Sequence, residues 1–261
     1  MAEKQLYRIN TLYAGDKSIE KFVAGLHDSF NNNGRVVYNK RNTLKIMSTG
    51  SEAMPVVAVK KFKPLGLLRG LYYTYIGINK AERCFYFAIE LETRAIATPE
   101  PLAYVQVSHC GVIRECYYIC RCVELPAVKD GIHWEDRYDA AMAESFSSMA
   151  AAMHKAGVVH GDLNCDNVLY SKNADGSFSF TLIDINRMKF YPRGTTVPDS
   201  EAMADMCCFT RSLKVMRSVA EYYAKARGWD NEMVERMVDS KRRFNRRREI
   251  KKRILHPTRK Y

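Results

Sequence analysis

The run Val158-Val159-His160-Gly161-Asp162-Leu163-Asn164-Cys165-Asp166-Asn167 and the later segment Thr181-Leu182-Ile183-Asp184 hold the residues whose types and spacing suit chemistry. An Asp, an Asn five residues on and a second Asp beyond a turn form the pattern of a phosphoryl-transfer centre. In that reading Asp162 accepts the proton of an attacking hydroxyl, and Asn167 and Asp184 offer two hard oxygens to a cation. Mg²⁺ suits such a pair, because it takes one or two carboxylates and fills its other positions with phosphate oxygens and water. His160 reads as a packed, hydrogen-bonded support of the loop rather than a participant.

These residues need elements to hold them. Val168 to Tyr170 and Phe178 to Ile183 are β-prone, and the turn formers Ser171-Lys172-Asn173-Ala174-Asp175-Gly176-Ser177 lie between them, which predicts a hairpin. Antiparallel pairing brings Asn167 and Asp184 to its open end. Upstream, Trp134 to Lys155 carries Tyr138, Met142, Phe146, Met149 and Met153 at helical spacing, and Gly157 ends that helix. Glu201 to Ala226 is also helix-like, with Met203, Met206, Phe209, Leu213 and Met216 as its core side.

The first half of the chain reads as strands around one helix. Gly34 to Tyr38 and Thr43 to Met47 flank the turn Asn39-Lys40-Arg41-Asn42, and Val56 to Phe62 follows. Alternation puts Ala58, Lys60 and Phe62 on one face of that last strand and Val57, Val59 and Lys61 on the other. A Lys closing a Val-Ala-x-Lys strand places its ammonium on the α- and β-phosphates of ATP, with the Ala at the adenine ring. Lys60 has that register, and Lys61 and Lys63 are its rivals. A helix over Lys80 to Ala95 offers Glu82, Glu90 and Glu92 as partners for Lys60, and the spacing singles out none. Leu102 to Val107 and Ile113 to Val123 predict a second hairpin. Val123-Glu124-Leu125-Pro126 then serves as a hinge whose backbone, at Glu124 and Leu125, meets adenine. The first thirty residues are only loosely periodic and predict no particular element.

Composition excludes several other classes. The 261 residues are 47% hydrophobic and 27% charged, as in globular proteins that bury a full core. No stretch has the length of an apolar membrane span, and Met1-Ala2-Glu3-Lys4-Gln5 lacks the apolar core of a signal peptide, so the expected location is the cytosol. The eight cysteines include no Cys-x-x-Cys pair, which argues for reduced thiols and against a zinc site. From Lys241 to Tyr261 there are eleven Lys or Arg against one acid, Glu249, a net +10 of the chain's +12. Such a tail suits an anionic membrane surface, where each cation contributes about 1 kcal/mol. It equally suits a solvated segment; RNA is less favoured, since stacking aromatics are sparse there.

With these pieces in register the chain resembles the lipopolysaccharide kinase family of the Kdo and WaaP type. The resemblance rests on Val57-Ala58-Val59-Lys60-Lys61-Phe62-Lys63, Thr98-Pro99-Glu100-Pro101, Met153-His154-Lys155-Ala156-Gly157-Val158-Val159-His160-Gly161-Asp162-Leu163-Asn164 and Leu182-Ile183-Asp184-Ile185-Asn186-Arg187-Met188. Asp-x-Asn-Arg where many kinases have Asp-Phe-Gly is its most discriminating part. The resemblance implies an α+β, bilobal protein-kinase-like fold with a smaller β-rich N-lobe and a mainly helical C-lobe. The expected division is 1–125 for the N-lobe with its strand Lys and hinge, 126–240 for the C-lobe, and 241–261 for a basic tail.

The resemblance also implies ATP and Mg²⁺ as cofactors, Lys60 on the phosphates, Asp162 as catalytic base, and Asn167 and Asp184 on the metal. The implied acceptor is a lipid-linked glycan, a Kdo or heptose hydroxyl of the lipopolysaccharide inner core, met at the cytoplasmic face of the inner membrane. Gly161 replaces an Arg that commonly reads an activation-loop phosphate, which argues against control by such phosphorylation. The turn at Asn39 to Asn42 has no glycine, so Lys40 or Arg41 would supply charge in place of backbone cradling. A protein kinase acting on tyrosine or serine, and a membrane-associated pseudokinase scaffold, are the alternatives.

Overall fold

The computed structural model describes residues 3–255, without the side chain of Leu255, and the chain divides into two compact units, 1–124 and 125–261. In the first, β1 (Glu3–Ile9) leads into α1 (Lys17–Ala24) and α2 (Leu26–Ser29). Strands β2 (Arg35–Asn39), β3 (Thr43–Ser48) and β4 (Val56–Lys61) follow, then α3 (Leu67–Tyr75), α4 (Lys80–Glu92), β5 (Pro101–His109) and β6 (Val112–Arg121). The six strands form one antiparallel sheet in the order β1-β5-β6-β4-β3-β2.

Alternation along β4 decides which side chains meet the core. Val57 and Val59 join Ala103, Val105, Tyr117 and Ile119 of the sheet against Ile19, Val23 and Leu26 of α1 and α2 and Phe30 just after α2. Each Val, Leu, Ile or Phe among them, fully buried, contributes about 1.5–3 kcal/mol. Lys61 shares this face and gives its ammonium to Glu115 at 2.6 Å. Burial alone would raise the Glu115 carboxyl, but hydrogen bonds from Lys61 and Tyr117 outweigh it and hold it below its usual range. The opposite face carries Ala58 and Lys60 and is covered by α4, whose Phe85 ring lies 5.4 Å from that of Tyr104 on β5. Asn79 caps α4 by accepting from the backbone N–H groups of Ala81 and Glu82.

Helix α3 lies flat on β6 because Gly70 permits it. A Cβ on Gly70 would stand 2.5 Å from the carbonyl oxygen of Ile113. Thr74, one turn on, accepts from Ile113 N at 3.0 Å and donates to Gly70 O at 2.7 Å.

The second unit contains α5 (Lys129–Ile132), α6 (Ala140–Lys155), β7 (Val158–Val159), β8 (Val168–Lys172), β9 (Phe178–Leu182) and β10 (Lys189–Phe190). Helices α7 (Asp199–Met206), α8 (Leu213–Arg227) and α9 (Asn231–Leu255) complete it. Helix α6 starts at Ala140 rather than Trp134, with a single 3₁₀ turn at Glu135–Arg137 before it, and Asp139 caps it. Phe146 of α6 stacks on Phe209 at 4.0 Å, centring the helical core.

Two expectations change here. The single helix over Glu201 to Ala226 is broken between Met206 and Leu213, where Ser212 caps α8 by accepting from Val215 N. Leu213 is consequently exposed rather than in the core. The basic segment from Lys241 continues α9 as far as Leu255 instead of beginning a separate tail, and its last six residues lie outside the described ones. Lys241 itself is 1% exposed and donates to the carbonyl of Cys207 at 2.7 Å, so it offers nothing to a membrane. All eight cysteines are free thiols.

Candidate active site

Strand β7 delivers the chain to His160, and the following loop is fixed from below by one buried carboxylate. Asp205 of α7 accepts from the backbone N–H of His160 at 2.7 Å and of Gly161 at 2.8 Å. His154 of α6 bridges the hydroxyl of Tyr223 at 2.6 Å and the Asp205 carboxylate at 3.3 Å. Asp205 and His154 have fully buried side chains. Such charge-assisted bonds to backbone donors are among the stronger hydrogen bonds in proteins.

His160 is also buried, and its Nε2 donates to the carbonyl of Ile183 at 3.1 Å, tying the loop to the segment before Asp184. Its Nδ1 has no partner among the described residues. Burial pushes the imidazole below its usual pKa, consistent with a neutral ring that braces the loop.

Above this base, Asp162 is held from two sides. Asn164 Nδ2 donates to Asp162 Oδ1 at 3.1 Å and Arg187 Nη1 to Oδ2 at 3.1 Å. Asn167 Nδ2 donates to the carbonyl of Asp162 at 2.9 Å, which leaves Oδ1 as the amide atom suited to a cation. The hairpin of β8 and β9 forms in the register Val168↔Leu182, and Ile183 N donates to Asn167 O at 3.0 Å. Asn167 and Asp184 therefore flank the open end of one ladder. Asp184 adopts a left-handed backbone, φ 56° and ψ 44°, and Asn186 donates to its Oδ1 at 2.7 Å. The polar members of Asp184-Ile185-Asn186-Arg187 thus each serve a carboxylate, Asn186 that of Asp184 and Arg187 that of Asp162.

Gly161 has a steric reason of its own. Its φ is +73°, and a Cβ there would stand 2.6 Å from the carbonyl oxygen of Arg187. Gly161→Ala should cost roughly 1–3 kcal/mol and displace Arg187 from Asp162. Thermal denaturation with a parallel activity assay checks this; an unchanged midpoint and rate would refute it.

Asp162 also lines a cavity of about 300 Å³ with Asp166, Arg211, Phe244 and Arg248. Phe244 and Arg248 come from α9, so the basic helix contributes to the wall beside the candidate base. Sequence reasoning did not find Arg211 or Arg248 for this role, and it missed Asp205 and His154. An acid beside Ala202, Met203 and Met206, on the apolar side of a helix whose other acids lie in its first turn, was the available signal for Asp205.

In the first unit, Lys60 stands 5.3 Å from the centroid of the Phe62 ring, on the same face as Ala58. Of the three candidate glutamates on α4, Glu82 accepts from Gln106 at 3.0 Å, Glu90 pairs with Arg94 at 2.8 Å, and Glu92 is exposed. Glu124, which pairs with Arg35 at 2.7 Å, ends this unit, and Leu125 opens the next. A carboxylate and an amide oxygen are a donor set for Mg²⁺. Among the described residues, no group of three or more His, Cys, Asp or Glu is arranged to hold a metal ion.

An antiparallel sheet in the N-terminal part and helices around an Asp-bearing loop in the C-terminal part define a protein-kinase-like fold. The solved structure of WaaP in complex with acyl carrier protein shares it, with a TM-score of 0.53 at 14% identity over 89% of this chain and 99% of that one. The Rio2 kinase of Chaetomium thermophilum, solved as an ADP/Mg²⁺-phosphoaspartate complex, aligns at 15% identity over 86% of this chain and 75% of that one, with a TM-score of 0.44. No curated protein sequence matches the chain. The lipopolysaccharide kinase (Kdo/WaaP) family profile matches residues 66–201, and the chain belongs to that family. The matched segment contains Asp162, Asn167 and Asp184 and begins after Lys60. Membership supports a phosphotransferase acting on the lipopolysaccharide core.

Proposed function

We propose that this chain transfers the γ-phosphate of ATP, with Mg²⁺, to a hydroxyl of Kdo or heptose in the lipopolysaccharide inner core. The observation that carries the reading is the Asp162 carboxylate, oriented by Asn164 and Arg187 beside a cavity that also holds Arg211 and Arg248. The two arginines suit an acceptor that bears its own anionic group, which favours the carboxylate-bearing Kdo. In this reading the acceptor oxygen bonds to the γ-phosphorus, the bond to the ADP oxygen breaks, and Asp162 receives the hydroxyl proton. Bound Mg²⁺ supplies charge neutralisation, with Asn167 Oδ1 and Asp184 as its ligands. Lys60 contributes the phosphate-binding ammonium, and the backbone at Glu124 and Leu125 receives adenine. Phosphoryl transfer passes through a loose transition state, so positioning and charge account for most of the catalysis.

Helix α9 presents further cations that suit an acidic membrane surface, in keeping with work on a lipid-linked acceptor at the cytoplasmic face of the inner membrane. Among the described residues, no helix is long and apolar enough to cross a membrane.

Incubation with ATP, Mg²⁺ and lipopolysaccharide, read by mass spectrometry, should add one phosphate to the core glycan. Phosphate on the polypeptide instead points to a protein kinase; nucleotide binding with no transfer to any acceptor points to a scaffold. Asp184→Ala should weaken Mg²⁺-dependent nucleotide binding at least about tenfold by calorimetry. Unchanged affinity would remove Asp184 from the metal.

A further inference from the structure

Helix α3 has three faces with three different surroundings. Gly70 and Thr74 sit against β6. Arg69 and Tyr73, one turn apart, line a cavity of about 340 Å³ together with Arg41, Lys63 and Lys80. The third face carries Leu68, Tyr72 and Tyr75, continued by Ile76 just past the helix end, with 83%, 50%, 75% and 80% of their surfaces exposed. Leu67 and Ile78 extend this apolar surface at 54% and 53% exposure. Large apolar side chains grouped this way on a surface mark a binding site more often than chance exposure does.

The cavity explains what the surface is for. Four cations line it, no carboxylate does, and none of the four makes a salt bridge among the described residues. The Lys80 ammonium is pushed below its usual pKa, first by burial and then by Arg41, Arg69 and Arg83. Like charges crowded without a counter-ion are stabilised by a compact anion entering from solvent. Beside them stands an apolar face of Leu, Ile and Tyr, and Tyr is enriched where membranes meet water. A basic flank with an apolar face is the composition of helices that lie in a bilayer interface.

We propose that α3 is the docking element for an anionic lipid surface, with a headgroup phosphate in the cavity of Arg41, Lys63, Arg69 and Lys80 and with Leu68, Tyr72, Tyr75 and Ile76 entering the headgroup and acyl boundary. The site places a membrane contact in the N-terminal unit, independent of α9. Arg41 and Lys63 lie near the expected nucleotide turn and strand, so the test below changes Arg69 and Lys80, which the nucleotide reading does not use, and omits nucleotide.

Co-sedimentation of the full chain with vesicles of equimolar phosphatidylglycerol and phosphatidylcholine tests it without ATP or lipopolysaccharide. Wild type binds these vesicles and not pure phosphatidylcholine. Arg69→Gln with Lys80→Gln lowers the partition coefficient about 25-fold, each cation at an anionic surface being worth roughly a factor of five. Leu68→Ser with Ile76→Ser, two highly exposed positions, lowers it at least about tenfold with an unchanged circular dichroism spectrum and thermal midpoint. Arg246→Gln with Arg247→Gln, on α9, changes it less than the α3 pairs do. Absence of wild-type binding, wild-type-level binding by either α3 variant, or loss confined to the α9 variant overturns the proposal. So does a dimer in light scattering that the Leu68 and Ile76 changes dissolve while vesicle binding persists.

Discussion

Asp162→Ala is expected to lower phosphoryl transfer by at least about 10³-fold and to leave the thermal midpoint nearly unchanged. A positioned general base is worth about 10²–10⁴ in rate, and Asp162 is the carboxylate oriented at the cavity mouth by Asn164 and Arg187. Its ion pair with Arg187 is partly solvent-exposed, and such pairs contribute little to stability. Nucleotide affinity should survive, because the proposed metal ligands, Asn167 and Asp184, remain. Rate measurement under saturating acceptor, alongside calorimetric titration of nucleotide, separates the two effects. Wild-type turnover in the variant would show that the proton goes elsewhere.

Asp205→Ala should act on stability and rate together. The substitution strips one buried and one part-buried backbone N–H group of their acceptor and leaves His154 without its carboxylate. Removing one member of a buried charged network costs about 3–5 kcal/mol, against a total stability of about 5–15 kcal/mol for a typical domain. For a unit of this size that corresponds to a fall in midpoint on the order of 10 °C. Transfer should fall as well, since the loop loses the anchor that sets the height of Asp162. Asp205→Asn keeps one acceptor oxygen and should lie between. A midpoint within a degree or two of wild type in Asp205→Ala would mean that the loop is held by something other than this carboxylate.

Local patterns in the chain were readable wherever one element dictated its own residues. The β8 and β9 hairpin follows from two β-prone runs around a turn cluster, and the α6 stripe of Met142, Phe146 and Met153 follows from its period. The expected strands at β2 to β6 appear with ends displaced by at most two residues. Elements that depend on distant partners were opaque. Strand β1 is mostly exposed and earns its place by pairing Tyr7 with Val105 and its neighbours, so its own sequence shows no clean alternation. Helix α3 is held by a close approach of Gly70 to Ile113, a contact across more than forty residues that nothing in Leu67 to Tyr75 announces.

The site was legible in the same partial way. Asp162, Asn167 and Asp184 were visible as a spacing, while Asp205 and His154 were not, because a carboxylate that binds backbone amides leaves no mark on the residues it serves. The Asn186-Arg187 pair was visible as a motif, but its work, steadying two separate carboxylates, depends on the folded loop that brings Arg187 to Asp162.

The way α9 is built into its surroundings bears on how the chain should be trimmed. Cutting it after residue 240 to strip off positive charge would also unplug the Cys207 carbonyl, which Lys241 occupies, and knock Phe244 and Arg248 out of the wall beside Asp162. An inactive truncated protein would therefore say little about electrostatics; charge-neutralising point changes at solvent-facing positions such as Arg246, Arg247 and Lys251 keep the scaffold and ask the cleaner question.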